Sequence, residues 1–268
     1  MFKTYKWSEI DGIAFELLNK KCAIMPTDTV IGILSKDPNL IYDIKQRSHD
    51  KKIILFIIDD SVLGELTQIQ KSFLAKFWPG PITVIKNNVS YRIPNDKYIL
   101  YLLNKVGPLY SSSANISGFN TIKNTIEAND IFDCKKYFYK LILVEGEQKS
   151  DTPSTIVNID NWKIIREGAM KEEVKQFIHD SLSDVGYNVI DEPVIFSPHY
   201  IGVPQHRERV FIMCVRKDLG ELPPFYFNID RIPQCSIEDI LQKDSEIEDI
   251  KRYQLKPEQI EWIDNWNE

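Results

Sequence analysis

The 268-residue sequence predicts an α/β protein in two parts. Residues 1–172 should form an open, twisted, mixed sheet with flanking helices, and residues 186–268 a small α/β fragment, with a linker or helix over 173–185. Three observations lead there. Short apolar runs alternate with amphipathic stretches, the pattern of a sheet covered by helices. A polar stretch over 171–183 ends at Gly186 and separates two regions of different character. The length also suits two modest domains, since single domains commonly run to about 100–200 residues.

Taken in order, Ile10, Ile13, Leu17 and Leu18 recur at helical spacing within 7–20, and Cys22 to Met25 form an apolar run stopped by Pro26. That reads as helix, strand, loop. A helix near 38–46, a strand at 53–58, helical pieces over 61–76 and a strand at 82–86 follow. Further strands are expected at 109–112, 141–144, 155–159 and 163–166, then a polar helix over 171–183. Beyond Gly186, Val189–Phe196 and Val210–Val215 are strand-like, joined by a long hairpin-like connection over Ser197–Glu208. The remaining tail is rich in Pro, Asp and Glu, with short helices expected at 236–242 and 257–266.

Composition excludes several classes. Hydrophobic content of 43% and charged content of 27% are those of an ordinary soluble protein. The longest apolar run, Ile53–Ile58, is far short of a membrane span, and the first ten residues hold no apolar signal core, so a cytoplasmic protein is expected. Cys22, Cys134, Cys214 and Cys235 form no CxxC pair, which argues against a disulfide framework or a zinc site. A net charge of -6 excludes a surface adapted throughout to polyanions; such affinity would have to come from a local basic cleft.

The first part holds the groups for such a cleft: threonines and serines in loop positions, interspersed with Lys45, Arg47, Lys51, Arg92 and Arg166. A guanidinium binds carboxylate or phosphate through two parallel hydrogen bonds, and an ammonium acts as a point charge. Taken alone, Lys45, Arg47 and Lys51 read first as the solvated end of a helix, and Ser111–Ser117 as a solvated turn; the neighbouring motifs reverse that reading. Trp78-Pro-Gly-Pro81 reads as a structural corner. Neither GxxxxGK[ST] nor GxGxxG is present, so a nucleotide would be held in some other way.

The order of the motifs supplies one. Pro26-Thr-Asp-Thr-Val-Ile-Gly32, Lys45-x-Arg47-x-x-x-Lys51, Trp78-Pro-Gly-Pro-Ile-Thr83, Arg92-Ile-Pro-Asn95, Ser113-Ala-Asn-Ile-Ser-Gly118, Ser154-Thr-Ile-Val-Asn158 and Arg166-x-Gly168 succeed one another as in the YrdC family. The resemblance covers residues 5–170 and implies a YrdC-like fold and a threonylcarbamoyl-AMP synthase. Such an enzyme converts L-threonine, bicarbonate and ATP to threonylcarbamoyl-adenylate and pyrophosphate, for tRNA-modification proteins that consume the adenylate. It implies ATP as substrate with Mg²⁺ bridging phosphates rather than sitting in a protein cage.

By the same resemblance Lys45, Arg47 and Lys51 are the catalytic cations, and Thr29, Arg92, Ser113 and Ser154 bind threonine, with Arg92 facing its carboxylate. Arg47, Lys51, Ser111, Ser113, Asn115 and Arg166 bind ATP. Four positions depart from the family pattern: Ile31 replaces an aromatic, Ser48 a proline, and Lys52 and Phe56 stand where many relatives have Pro and His.

The second part contains Gly202-Val-Pro-Gln-His-Arg-Glu-Arg-Val-Phe-Ile212 after Gly186-Tyr-Asn-Val189. This resembles the Gln-x-Arg-x-Arg region of cytosine-5 DNA methyltransferases, a Rossmann-like family in which Gln205, Arg207 and Arg209 would flank the flipped cytosine and a phosphate. The chain contains no glycine-rich loop for S-adenosylmethionine, Pro-Cys nucleophile or Glu-Asn-Val motif of that family. Neither S-adenosylmethionine binding nor methylation is expected of it, and DNA binding is expected to be weak at most. Two other readings stay open: a module binding double-stranded RNA or tRNA without turnover, and one piece of a split methyltransferase. No membrane partner is expected.

Overall fold

The computed structural model describes residues 1–190, 194–196, 209–211 and 213–220. The chain divides into two compact units, Met1–Val185 and Gly186–Glu268. Among the described residues no helix is long and apolar enough to cross a membrane.

The first unit is built on a ten-stranded mixed sheet flanked by helices. Its strands are β1 (Lys3–Tyr5), β2 (Cys22–Met25), β3 (Gly32–Ser35), β4 (Ile54–Phe56), β5 (Ile82–Lys86), β6 (Val89–Arg92), β7 (Leu109–Ser113), β8 (Leu141–Val144), β9 (Thr155–Asn158) and β10 (Lys163–Arg166). They lie in the order β1-β8-β2-β3-β7-β4-β6-β5-β9-β10. The pairs β1/β8, β2/β8, β4/β6 and β5/β9 are parallel, and β2/β3, β3/β7, β4/β7, β5/β6 and β9/β10 antiparallel. The helices are α1 (Ile10–Leu18), α2 (Pro38–Lys45), α3 (Gln68–Phe77), α4 (Lys97–Val106), the four-residue α5 (Ala128–Ile131) and α6 (Cys134–Tyr137), and α7 (Lys171–Asp184).

Local chemistry sets the helix ends. Pro38 opens α2 with its φ already helical, and Asp37 caps it by accepting from Asn39 N at 2.9 Å. Gln46 ends α2 in the left-handed region at φ 50°. Thr67 and Gln70 form a reciprocal capping box on α3, and Gln70, buried, also donates to Ile159 O at 2.8 Å. Asp96 caps α4 by accepting from Tyr98 N and Ile99 N.

Two clusters of buried side chains make up the core, one including Ile24, Ile33, Ile44 and Leu143, the other Leu17, Leu34, Phe56 and Leu103. In α1 the buried face is Ile13, Ala14, Glu16 and Leu17, whereas Leu18, expected on the apolar face, is 55% exposed. Glu16 is held inside by Tyr5 Oη at 2.6 Å, Lys21 Nζ at 2.6 Å and Lys3 Nζ at 3.1 Å.

Helix α7 packs onto this unit. Val174 and Ile178 are buried, and Phe177 meets Phe73, Phe77 and Trp162 at ring-centroid distances of 5.1, 6.0 and 6.1 Å.

In the second unit, β11 (Tyr187–Val189) pairs antiparallel with β14 (Cys214–Arg216), and β12 (Val194–Phe196) with β13 (Arg209–Phe211). The expected single strands Val189–Phe196 and Val210–Val215 are thus each two short strands, paired in hairpin order. The connection Ser197–Glu208, with Gln205 and Arg207, and the expected helices at 236–242 and 257–266 lie outside the described residues.

Candidate active site

One face of the central strands carries small side chains, and this opens a cleft. In register across the sheet, Gly32 faces Ser113, Ser111 faces Ile54, and Ile54 faces Ser90. All five line a cleft of about 820 Å³, and Thr29, Arg47, Arg92, Ser154 and Arg166 line it too. Ile54, Phe56, Ile85, Ile156 and Ile165 give it an apolar side. Because strand side chains alternate faces, Ser90 and Arg92 of β6 and Ser111 and Ser113 of β7 reach the same space.

Arg92 is buried, with 2% of its surface exposed. Its Nε donates to Gly80 O at 3.0 Å and its Nη1 to Thr29 Oγ1 at 3.1 Å, while Nη2 lies 2.6 Å from Asp28 Oδ1. Nη2 and Asp28 Oδ1 attract as charges without hydrogen-bond geometry, so each buried atom keeps an unmet hydrogen-bonding direction. Burial lowers the Arg92 pKa, and Asp28 opposes the shift. Asp28 Oδ2 accepts from Asn95 N at 2.9 Å, which ties the 26–32 loop to the segment after β6. Gly80 is required at its place: a Cβ there would sit 2.5 Å from Phe77 O.

The loop that presents Thr29 is closed by its own hydroxyls. Thr27 Oγ1 donates to Val30 O at 2.7 Å, accepts from Thr29 N at 3.1 Å, and lies 3.2 Å from Thr29 Oγ1.

On the opposite wall, Arg166 grips Ser154: Nη2 donates to Ser154 O at 2.7 Å and to Ser154 Oγ at 3.0 Å, and Nε to Ser154 O at 3.1 Å. Ser154 Oγ is also 2.9 Å from Thr83 Oγ1. Arg166 keeps surface open to solvent, yet crowding by protein atoms and then the charges of Arg92 and Arg47 lower its pKa. Arg166 thus lies in the positive field of both Arg92 and Arg47.

The Lys45-x-Arg47 pair is split by the left-handed turn at Gln46. Arg47 reaches the cleft, donating to Lys52 O at 3.1 Å. Lys45, 1% exposed, turns inward beneath the cleft floor, where Nζ donates to Ser113 O and, at 2.8 Å each, to Asn115 O and Asn115 Oδ1. Burial, and secondarily Arg47, bring its pKa down to about 7. Lys45 and Asn115 therefore fasten the 113–115 segment and do not line the cleft. Lys51 is exposed and also off the wall; its carbonyl accepts from Tyr42 Oη at 3.0 Å.

Of the four departures, Ile31 is fully buried in the core and Ser48 is exposed, whereas Phe56 and Lys52 line the cleft. Phe56 lies under Arg92, ring centroid 5.6 Å from Cζ. No cluster of three or more His, Cys, Asp or Glu side chains suited to a metal occurs among the described residues. Three positions that sequence reasoning misses are Asp28, Gly80 and Lys123. Lys123 lines the cleft but is paired with Asp151.

A family model described as "Telomere recombination" (Sua5, YciO and YrdC) matches residues 16–168, more than half of the chain. The chain belongs to the Sua5/YciO/YrdC family. A second model, C-5 cytosine-specific DNA methylase, matches residues 151–268. The two matches overlap over 151–168, which the structure builds into β9 and β10 of the first unit.

An uncharacterized Mycoplasma genitalium protein, MG259, is 32% identical over 156 residues, covering 58% of this chain and 33% of that protein. A Bacillus subtilis threonylcarbamoyl-AMP synthase is 30% identical over 127 residues, covering 38% and 37%. The chain spans about a third of the length of MG259 and of its Mycoplasma pneumoniae homolog. Among solved structures, Pyrococcus abyssi Sua5 complexed with L-threonine superposes with TM-score 0.58 at 23% identity, over 66% of this chain and 61% of that one. Escherichia coli YciO gives 0.54 at 19%, over 63% and 97%. At such identities the likeness is one of fold.

Proposed function

We propose that the cleft makes threonylcarbamoyl-adenylate from L-threonine, bicarbonate and MgATP, for tRNA-modification proteins. The observation that supports this reading best is the division of its cations. Arg92 is charge-paired and fixed beside Thr29, a rigid fork for one carboxylate, whereas the hydrogen bonds of Arg47 and Arg166 among the described residues go only to neutral oxygens, with Asp50 acting on Arg47 through space alone, and both stand ready for phosphate. In this reading Thr29, Arg92, Ser113 and Ser154 hold the amino acid, and Arg47, Ser111, Ser113 and Arg166 the nucleotide. Lys45 and Asn115 act from below, by shaping the 113–115 segment.

The threonine amine takes up CO₂ from bicarbonate, with loss of water, to give a carbamate. A carbamate oxygen then forms a bond to the α-phosphorus, and the bond from that phosphorus to the bridging oxygen breaks, releasing pyrophosphate. No side-chain nucleophile is needed. Two anions must be brought together in line, so fixed cations that offset their repulsion would supply much of the rate. Mg²⁺ enters with the phosphates.

The test is pyrophosphate release by the full chain, with L-threonine or bicarbonate omitted in turn. Release should require both; release that ignores threonine, or none from folded protein, would refute the assignment. Residues 186–268 are proposed to be a cytosine-5 methyltransferase-like part with no role in that reaction, and Met1–Val185, α7 included, to be the synthase unit.

A further inference from the structure

Two adjacent lysines follow Arg47, and the family pattern favours the first of them as the phosphate contact. The cleft lining favours the second. Lys52 lines the cleft together with Ile54 and Phe56 of the strand that follows. Lys51 does not, nor do Ile53, which is buried in the core, and Leu55.

The Lys51–Lys52 backbone is held from two sides. Tyr42 Oη donates to Lys51 O at 3.0 Å and Arg47 Nε to the same oxygen at 3.4 Å, while Arg47 Nη2 donates to Lys52 O at 3.1 Å. The Lys52 ammonium donates to Asn88 Oδ1. Asn87 and Asn88, at φ 48° and 67°, form the tight turn between β5 and β6 that presents this acceptor. Lys52 thus meets a neutral oxygen and, among the described residues, has no carboxylate paired with it, at the same corner as Arg47. Lys123, whose ammonium also lines the cleft, is instead paired with Asp151.

We propose that Lys52, and not Lys51, supplies the ammonium that meets the polyphosphate of the nucleotide, with Asn88 as its positioning residue. This rests on the reading of the cleft as an ATP site. Lys52 would then act where relatives have Pro, so its departure from the family pattern adds a binding group.

The test is equilibrium titration of the full chain and its Lys52→Gln, Lys52→Arg and Lys51→Gln variants with ATP and with adenosine, which has no phosphate. Lys52→Gln should weaken ATP by about tenfold, the scale of one charge-assisted contact, and leave adenosine within about twofold of the parent. Lys52→Arg should restore most of the loss, Lys51→Gln should cost less than Lys52→Gln, and the Lys52→Gln deficit should shrink as salt is raised. Equal losses for ATP and adenosine, or a larger loss in Lys51→Gln, would overturn the assignment. If the parent binds neither ATP nor adenosine, the functional reading falls, and titration with inorganic tripolyphosphate decides Lys52 separately: no Lys52-dependent binding there overturns it as well.

Discussion

Asp28→Asn isolates what holds the cleft's buried guanidinium in place. The substitution keeps size and leaves an oxygen for Asn95 N, but removes the only carboxylate paired with Arg92 among the described residues. At 2.6 Å and an effective dielectric of roughly 20, the lost attraction is about 6 kcal/mol. The neutral amide would also cost less to desolvate than the carboxylate it replaces, and Arg92 keeps Gly80 O and Thr29 Oγ1 as acceptors. The net loss should therefore be about 2–4 kcal/mol, close to the cost of removing one partner from a buried pair.

Urea-dependent hydrogen exchange, read on peptides from 20–36 and 82–93, reports this unit independently of the second. The unfolding midpoint should fall by about 1 M, taking a urea dependence of about 2–3 kcal/mol per molar. If Arg92 also receives the threonine carboxylate, saturating L-threonine should raise the variant's midpoint more than the parent's, because the ligand replaces the missing charge. A midpoint within about 0.2 M of the parent's would refute the idea that Asp28 compensates Arg92.

Gly168→Ala should be severe, because its Cβ would fall 2.2 Å from Pro153 O and 2.7 Å from Ser154 C. Moving that backbone costs about 1–3 kcal/mol and displaces Ser154 and Arg166, so nucleotide titration should show weaker binding along with a lower unfolding midpoint. A chain ending at Val185 should stay folded, judged by exchange protection of β2 and β8. One ending at residue 170 should lose about 5 kcal/mol with Val174, Phe177 and Ile178 and their packing on α3. Glu16→Gln tests the buried carboxylate: burial pushes its pKa up, but Lys21, Tyr5 and Lys3 outweigh that and hold it at about 2. Since the folded pKa lies below the unfolded one, the stabilisation is complete above pH about 4.5 and is lost as pH falls towards 2. After allowance for the exposed Lys3, parent and variant should differ by about 1–2 kcal/mol at pH 7 and converge in that acid window in pH-dependent urea unfolding.

The sheet is legible where strands announce themselves as apolar runs bounded by breakers. Cys22–Met25, Ile82–Lys86 and Leu141–Val144 are of that kind. β3 and β6 escape such a reading because Gly32-Ile-Leu-Ser35 and Val89-Ser-Tyr-Arg92 mix small, polar and charged residues into the strand. Gly32, Ser90 and Arg92 of these strands line the cleft, so positions that serve the site help to obscure its strands. α4 is a different kind of miss, since Ile99, Leu102, Leu103 and Val106 repeat at helical spacing and Asp96 caps it. The signal is present there.

For the candidate site, residue type is legible and direction is not. Thr29, Arg47, Arg92, Ser111, Ser113, Ser154 and Arg166 all reach one cleft. Lys45 and Asn115 meet each other below it, because Gln46 reverses the chain between Lys45 and Arg47. Charge pairing is less legible still. Arg92 is matched with Asp28 across 64 positions, and Lys123 with Asp151 across 28, so sequence alone gives no reason to separate these cations from Arg47, Lys52 and Arg166. The separation matters for function: a paired cation is already oriented and partly neutralised and suits a single carboxylate, whereas several cations lining one cleft without a carboxylate partner among the described residues repel one another until a polyanion arrives. Lowering ionic strength should therefore strengthen nucleotide binding more steeply than threonine binding, since the phosphate contacts depend on charges that salt screens and the Arg92 fork on buried contacts that it does not. Equal salt slopes for the two ligands would remove the distinction between the paired and the unpaired cations.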